Sequence, residues 1–369
     1  MNNAFQIGKV MGIPVRLHLT FLLIIPWVAY IFAGVSTTML GKVYGFGMVQ
    51  PELSRWMYSF AFAVLLFLCV ALHELGHSYV ALRYGIAIRS ITLYLFGGVA
   101  SMENIPRDPR MELWLAFAGP AVSGGLSLLL GLAYIPASFL GAYHPLPILL
   151  WTLSMMNLIL MGFNLIPAFP MDGGRLLRAW FATRMPYVTA TKRAASIGKV
   201  FAMMMAGIGL FTRSILTLVV ALFVYIGASE EERATEINVS LEGIRVRRIM
   251  SSNIKTIGPN STLRELMDLM FNEKHRGYPV VEGDKLQGIV TLTDLQRIPD
   301  HLRESTIVSE IMSRKIYVIG PDEEAASAMK IMSERKIRRL PVLEDGKLIG
   351  IISREDLVRA IELCADTKA

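Results

Sequence analysis

Six runs of mostly apolar residues, at about 17–35, 57–82, 113–136, 146–167, 195–211 and 214–229, fill the first 229 positions of this 369-residue chain. A helix needs roughly 20 such residues to cross a bilayer. In lipid every backbone N–H and C=O must be satisfied internally, which a helix achieves. The runs therefore predict an α-helical polytopic membrane protein with six spans. The last two runs are short, and Arg213 lies between them. A tight hairpin at Thr212-Arg213-Ser214 avoids the ~2.5 kcal/mol or more that an Arg costs at mid-membrane.

Charge divides the chain. Residues 1–229 hold 6 Asp+Glu and 15 Lys+Arg, whereas residues 230–369 hold 24 and 22. The basic excess sits between apolar runs, as membrane topology produces, and no aromatic-plus-basic pattern for nucleic acid occurs. With the N-terminus inside, twelve Lys/Arg fall on inner segments and three, Lys42, Arg55 and Arg213, on outer ones. Six spans then place the second half in the cytoplasm. Lys9 and Arg16 precede the first run without a small-residue cleavage site after it, so a retained span is expected. Cys69 and Cys364 make neither a disulfide framework nor a cysteine metal site.

The second run contains Leu72-His73-Glu74-Leu75-Gly76-His77. Residues four apart share a helix face, so His73 and His77 present two imidazoles together, with the Glu74 carboxylate beside them to take a proton from water. Ionisable groups at membrane depth are costly and usually functional. A catalytic zinc takes three protein ligands and keeps one position open. The other histidines are placed poorly: His144 is outer, His275 and His301 lie in the second half, and His18 reads as interfacial. A carboxylate is the expected third ligand. Of Glu52, Glu74, Glu103, Asp108, Glu112 and Asp172, only Asp172 follows a span in a distinctive turn, Asn164-Leu-Ile-Pro167-Ala-Phe-Pro170-Met-Asp172-Gly173-Gly174. The prolines break the helix and the glycines permit close backbone approach. A simpler role for Asp172 is to cap the helix from Gly173. Gly119-Pro120 and Gly124-Gly125 read as sites of kinking and close helix packing.

These residues resemble the site-2 protease family of intramembrane zinc metalloproteases over about residues 7–230. The HELGH motif and Asn-x-x-Pro-x-x-Pro-x-Asp-Gly-Gly carry the resemblance. Gly12-Ile13-Pro14-Val15, Phe96-Gly97-Gly98-Val99-Ala100 and Ala118-Gly119-Pro120 add to it. The resemblance implies one zinc per chain on His73, His77 and Asp172, with Glu74 as general base. It also implies that Asn164 positions substrate or polarises the scissile carbonyl. Met171 stands where many members have Leu. No insert is long enough for a PDZ domain. Segment 86–102, bounded by Gly85 and Pro106, is β-rich and too short to span; in the family a comparable segment forms a small re-entrant sheet near the zinc. An open strand edge there could hold an unwound substrate; a plain surface hairpin is the simpler alternative.

The second half repeats itself. Ile249-Met250, Gly258-Pro259, Pro279-Val280 and Gly288-Ile-Val-Thr291-x-x-Asp294-Leu recur as Ile311-Met312, Gly320-Pro321, Pro341-Val342 and Gly350-Ile-Ile-Ser353-x-x-Asp356-Leu, all offset by 62. Each repeat reads as a short strand, a helix (262–272; 323–333), two strands around a turn (Glu282-Gly283-Asp284; Glu344-Asp345-Gly346) and a second helix. This order resembles a pair of cystathionine-β-synthase (CBS) domains with an α/β fold. The resemblance implies that Thr291, Asp294, Ser353 and Asp356 meet ATP or another adenine nucleotide and that the pair can form a homodimer; Arg338 and Arg339 could pair with phosphate, and the simpler role of the two Asp residues is to cap helices.

The expected organisation is a protease domain at 1–229, a linker at 230–243, and CBS domains at 244–300 and 306–362. The expected activity is hydrolysis of membrane-spanning proteins in regulated intramembrane proteolysis at the cell membrane, with the N-terminus and CBS pair cytoplasmic. The alternative is a CBS-regulated transporter or channel using HELGH as a transport site; it calls for paired repeats in the membrane half, which the sequence lacks.

Overall fold

The chain enters its first unit as a hairpin ahead of any helix. β1 (Ala4–Val10) and β2 (Ile13–His18) pair antiparallel, Val10 opposite Ile13, through Met11 and Gly12, both at positive φ. The computed structural model describes residues 4–94, 97–102, 107–283 and 285–366. Phe96, Glu103, Pro106 and Asp284, named above, lie outside them. Two compact units separate, Met1–Arg233 and Ala234–Ala369.

In the first unit, α1 (Phe21–Gly34) leads to a small hairpin, β3 (Thr37–Met39) and β4 (Lys42–Tyr44), and then to α2 (Glu52–Arg83). β5 (Ile88–Tyr94) and β6 (Gly97–Met102) follow as an antiparallel pair. β2 runs parallel to β5, with Val15 opposite Ile91, so the sheet order is β1-β2-β5-β6 and β6 is an edge. The sequence anticipated the β5–β6 segment but not its β1–β2 partner. Ile13, Ile91 and Leu93 bury one sheet face against Ile24, Phe67 and Leu75 of α1 and α2. This fixes the sheet beside the helix that carries HELGH.

Helix α3 (Pro109–Ala137) begins with Asp108 capping the N–H of Arg110. It packs on α2 and on α4 (Pro145–Asn164). Ser127 donates to the Ser154 carbonyl at 2.9 Å and Ser154 returns a bond to the Ser127 carbonyl at 2.8 Å, a reciprocal polar clasp between apolar helices. The short α5 (Asp172–Ala182) precedes α6 (Tyr187–Phe211) and α7 (Ile215–Ser240). The expected hairpin at 212–214 is present, with Arg213 at φ +54. Among the described residues four helices are long and apolar enough to cross a membrane: α2, α3 with its following turn, α4 and α6. α1 has 14 residues, and the apolar part of α7 ends before Glu230. Outward-facing Leu128, Leu129, Leu132, Val219 and Phe223 are exposed in the chain itself, as a lipid-facing surface is.

The second unit carries the repeat in three dimensions. Its elements are α8 (Val246–Ile249), α9 (Leu263–Glu273), β7 (Gly277–Glu282), β8 (Lys285–Thr291) and α10 (Leu292–Gln296), then α11 (Val308–Ile311), α12 (Ala325–Arg335), β9 (Arg339–Glu344), β10 (Lys347–Ser353) and α13 (Arg354–Asp366). The expected leading strand of each repeat is a single parallel bridge, Ile257 to Val280 and Ile319 to Val342. Helices α9 and α12 both end on a left-handed lysine, Lys274 and Lys336. Each repeat's leading segment crosses to the other repeat. Ser251 pairs with Ile351 and Ser313 with Ile289. Ile244 and Val246 lie in the core of the second repeat, while Val308 and Met312 lie in that of the first.

Candidate metal centre

His73 and His77 lie on successive turns of α2, both buried, as their spacing requires. Their Nε2 atoms are 3.3 Å apart. Asp172, at the first position of α5, points its carboxylate between them: Oδ2 is 3.3 Å from Nε2 of His73 and 3.1 Å from Nε2 of His77. Met171 holds the cap position of α5, so Asp172 does not serve as the helix cap. The three residues form a group able to hold a metal ion.

The turn that delivers Asp172 is built by close packing. Ala168 and Met171 are buried against Ala202 and Val224, and Phe169 against Ala194, Ala195 and Ala228, so α6 and α7 hold the turn between them. The Phe169–Pro170 peptide is cis. A β-carbon at Gly174 would fall 2.6 Å from the Ala168 carbonyl carbon, and one at Gly227 2.6 Å from the Pro170 ring. The sequence reading of Gly173-Gly174 as close-approach residues describes this turn.

Ring orientation is set from α3. His77 Nδ1 is 2.7 Å from the Leu115 carbonyl oxygen, which only accepts, so this nitrogen carries the proton and leaves Nε2 a bare lone pair. His73 Nδ1 is 2.9 Å from Ser123 Oγ. Gly119 lies between these anchors on the same helix. A β-carbon there would meet Nε2 of His77 and of His73 before any other atom. The close helix packing that the sequence assigns to Gly119 is thus present, and it brings α3 against the two imidazoles of α2 with no room for a side chain. Gly124 packs against Met161 as expected, and Gly125 faces open space.

The donor set fits zinc. Four ligands at ~2.0–2.1 Å in a tetrahedron stand about 3.3–3.4 Å apart. The three observed separations, 3.1 to 3.3 Å, match that edge length. Two imidazole nitrogens and a carboxylate oxygen converging at this distance in a buried site suit a cation.

Glu74 follows His73 and, unlike the three buried residues, is partly exposed. Asn164, the last residue of α4, is also partly exposed and donates one amide N–H to the Leu160 carbonyl at 3.0 Å. Its amide carries a second N–H. His18 lies at the end of β2, its Nδ1 2.9 Å from Thr20 Oγ1.

The packing of α3, α5 and α7 also buries an ion pair. Arg178 of α5, six residues after Asp172, is buried, donates through Nε to Glu112 of α3 at 2.8 Å and through Nη1 to Glu231 of α7 at 2.5 Å, and stacks over the Phe169 and Tyr187 rings. Lys199 joins α6 to Glu232 at 2.6 Å. In the sequence Arg178 is one of the inner positive charges, and nothing in local spacing marks its partners.

In the second unit the two Asp motifs are capping boxes. The Thr291 hydroxyl donates to Asp294 Oδ2 and the Ser353 hydroxyl to Asp356 Oδ2, each at 2.6 Å, and the backbone N–H of Thr291 and Ser353 joins the same oxygen. Glu355 in the first turn of α13 is held below the usual carboxylate range, chiefly by a backbone N–H at the helix start. Arg339 donates to the Gly277 carbonyl at 2.9 Å, tying the repeats together.

Comparison with known proteins covers both units. The family described as Peptidase family M50 matches residues 61–143 and 138–207, and CBS domain matches residues 246–300 and 308–363. The chain is 39% identical over 365 residues to a zinc metalloprotease of Methanocaldococcus jannaschii, covering 98% of this chain and 97% of that one. A solved site-2 protease from Methanocaldococcus jannaschii is 41% identical, with 62% of this chain and 95% of that chain covered and a TM-score of 0.43. A CBS domain-containing protein of Bacillus subtilis, YhcV, is 33% identical over 114 residues, 30% of this chain and 81% of that one.

Proposed function

The chain belongs to peptidase family M50, the site-2 proteases, and is a zinc metalloprotease carrying a CBS pair; on that premise we propose that it hydrolyses peptide bonds of membrane-spanning proteins at a zinc held by His73, His77 and Asp172. The observation that carries this reading is the triangle of Nε2, Nε2 and Oδ2 atoms at zinc-ligand spacing, with Glu74 adjacent. A zinc ion held by these three residues would supply Lewis-acid polarisation of a carbonyl and would lower the pKa of water toward ~7. Glu74 takes the proton from the attacking water and passes it to the leaving amine. Asn164 offers its second amide N–H to the scissile carbonyl. A helical substrate hides its peptide bonds, so it must be extended first. The β6 edge, beside α2, offers backbone groups to pair with such a strand.

In this reading α1 and α7 complete six spans, β5–β6 is the re-entrant segment, and residues 230–243 link a protease domain at 1–229 to CBS domains at 244–300 and 306–362. The N-terminus and CBS pair face the cytoplasm of a cell-membrane enzyme. An adenine nucleotide regulates it. Asp294 and Asp356 each spend Oδ2 on a helix cap, and the second carboxylate oxygen is the one that meets a ribose hydroxyl. A nucleotide acts only through its different affinity for two arrangements of the pair. The CBS pair also supplies the surface for a homodimer.

The test is metal analysis of the purified full chain beside a cleavage assay on single-span substrates. About one zinc per chain and cleavage lost with a chelator and restored by zinc are expected. Metal-free protein that still cleaves would sink the assignment.

A further inference from the structure

Two different devices hold the two imidazoles. His77 Nδ1 meets the Leu115 carbonyl, a backbone group that no substitution removes. His73 Nδ1 meets the Ser123 hydroxyl, which can donate or accept. Leu115, Gly119 and Ser123 are each four apart on α3, so one stripe of that helix supplies both ring anchors and the room between them. Ser123 is fully buried and His73 nearly so.

We propose that Ser123 is a positioning residue for the metal centre: its hydroxyl accepts from His73 Nδ1–H, selecting the tautomer with a bare Nε2 and fixing the ring plane toward His77 and Asp172. Without it, His73 can carry its proton on Nε2, where the Asp172 carboxylate 3.3 Å away would accept it in place of the metal. This rests on the zinc-ligand reading above. Partners of this kind set ligand orientation, and their loss typically costs 10–100-fold in metal affinity.

The test uses the full-length protein in detergent and measures zinc affinity by chelator competition, together with the visible spectrum of the cobalt-loaded protein. Ser123→Ala is expected to bind zinc about 10–100-fold more weakly, with an altered cobalt spectrum. Should Ser123→Ala fail to fold, Ser123→Thr and Ser123→Val give a second pair. Thr and Val share one shape, so packing cost is common to both and only the hydroxyl differs. Thr is expected to bind zinc more tightly than Val by the same factor. Equal affinities and spectra within the Ser/Ala or Thr/Val pair would overturn the proposal while leaving the ligands in place. Wild-type protein without a zinc site would instead overturn the ligand assignment on which it rests.

Discussion

Gly119 faces His77 so closely that a β-carbon on the glycine would overlap the imidazole Nε2. Gly→Ala in a helix interior ordinarily stabilises by ~1 kcal/mol. Here the methyl would occupy the space the ligand atoms need. Gly119→Ala is therefore expected to lose zinc, read by metal analysis, and to lose cleavage with it. Gly125→Ala, on the same helix but facing open space, should keep both.

The base and the ligands separate by metal content. Glu74→Gln keeps size and hydrogen bonding but cannot take a proton. It should retain about one zinc per chain and lose at least ~10²-fold in cleavage rate. His73→Ala and Asp172→Asn should instead lower zinc occupancy. A Glu74→Gln enzyme with wild-type turnover would remove Glu74 from the mechanism.

Arg178 neutralises Glu112 in a buried setting. Removing one partner of such a pair strands the other charge, at a cost of about 3–5 kcal/mol. Arg178→Met should thus unfold at a clearly lower temperature in detergent, and Arg178→Met with Glu112→Leu should recover most of the loss. Thermal unfolding of the two variants decides it. If the double variant is no better than the single, the carboxylate is not what suffers.

The Lys/Arg bias and the Arg213 turn predict a cytoplasmic CBS pair. In a background of Cys69→Ala and Cys364→Ser, a cysteine at the exposed Glu242 should resist an impermeant thiol reagent in intact cells and react after permeabilisation. Labelling in intact cells would place the CBS pair outside, away from cytoplasmic nucleotide.

For the CBS pair, Asp294→Asn with Asp356→Asn keeps a capping oxygen in each box but removes the charge. Calorimetry should show adenine-nucleotide binding by the full chain and its loss in this variant, with zinc content unchanged. A tenfold effect of nucleotide on cleavage requires ~1.4 kcal/mol of preference between states. No binding by the wild-type chain would leave the pair a structural or dimerisation module.

What the sequence determined by itself is what lies within one element or recurs at one interval. His73 and His77 share a face because a helix repeats every 3.6 residues, and the 62-residue offset announces two alike folding units. The apolar runs mark helices because lipid leaves the backbone no other partner. What the tertiary structure decided is everything that depends on distant segments meeting. Asp172 reaches His73 across 99 positions because α6 and α7 grip its turn. The β1–β2 hairpin joins a sheet that a stretch beginning some 70 residues later completes. Gly119, Ser123 and the Arg178 pairings gain their roles only when α3 lies against α2 and α5, because contacts between helices are set by close packing, which leaves no period in the sequence to read.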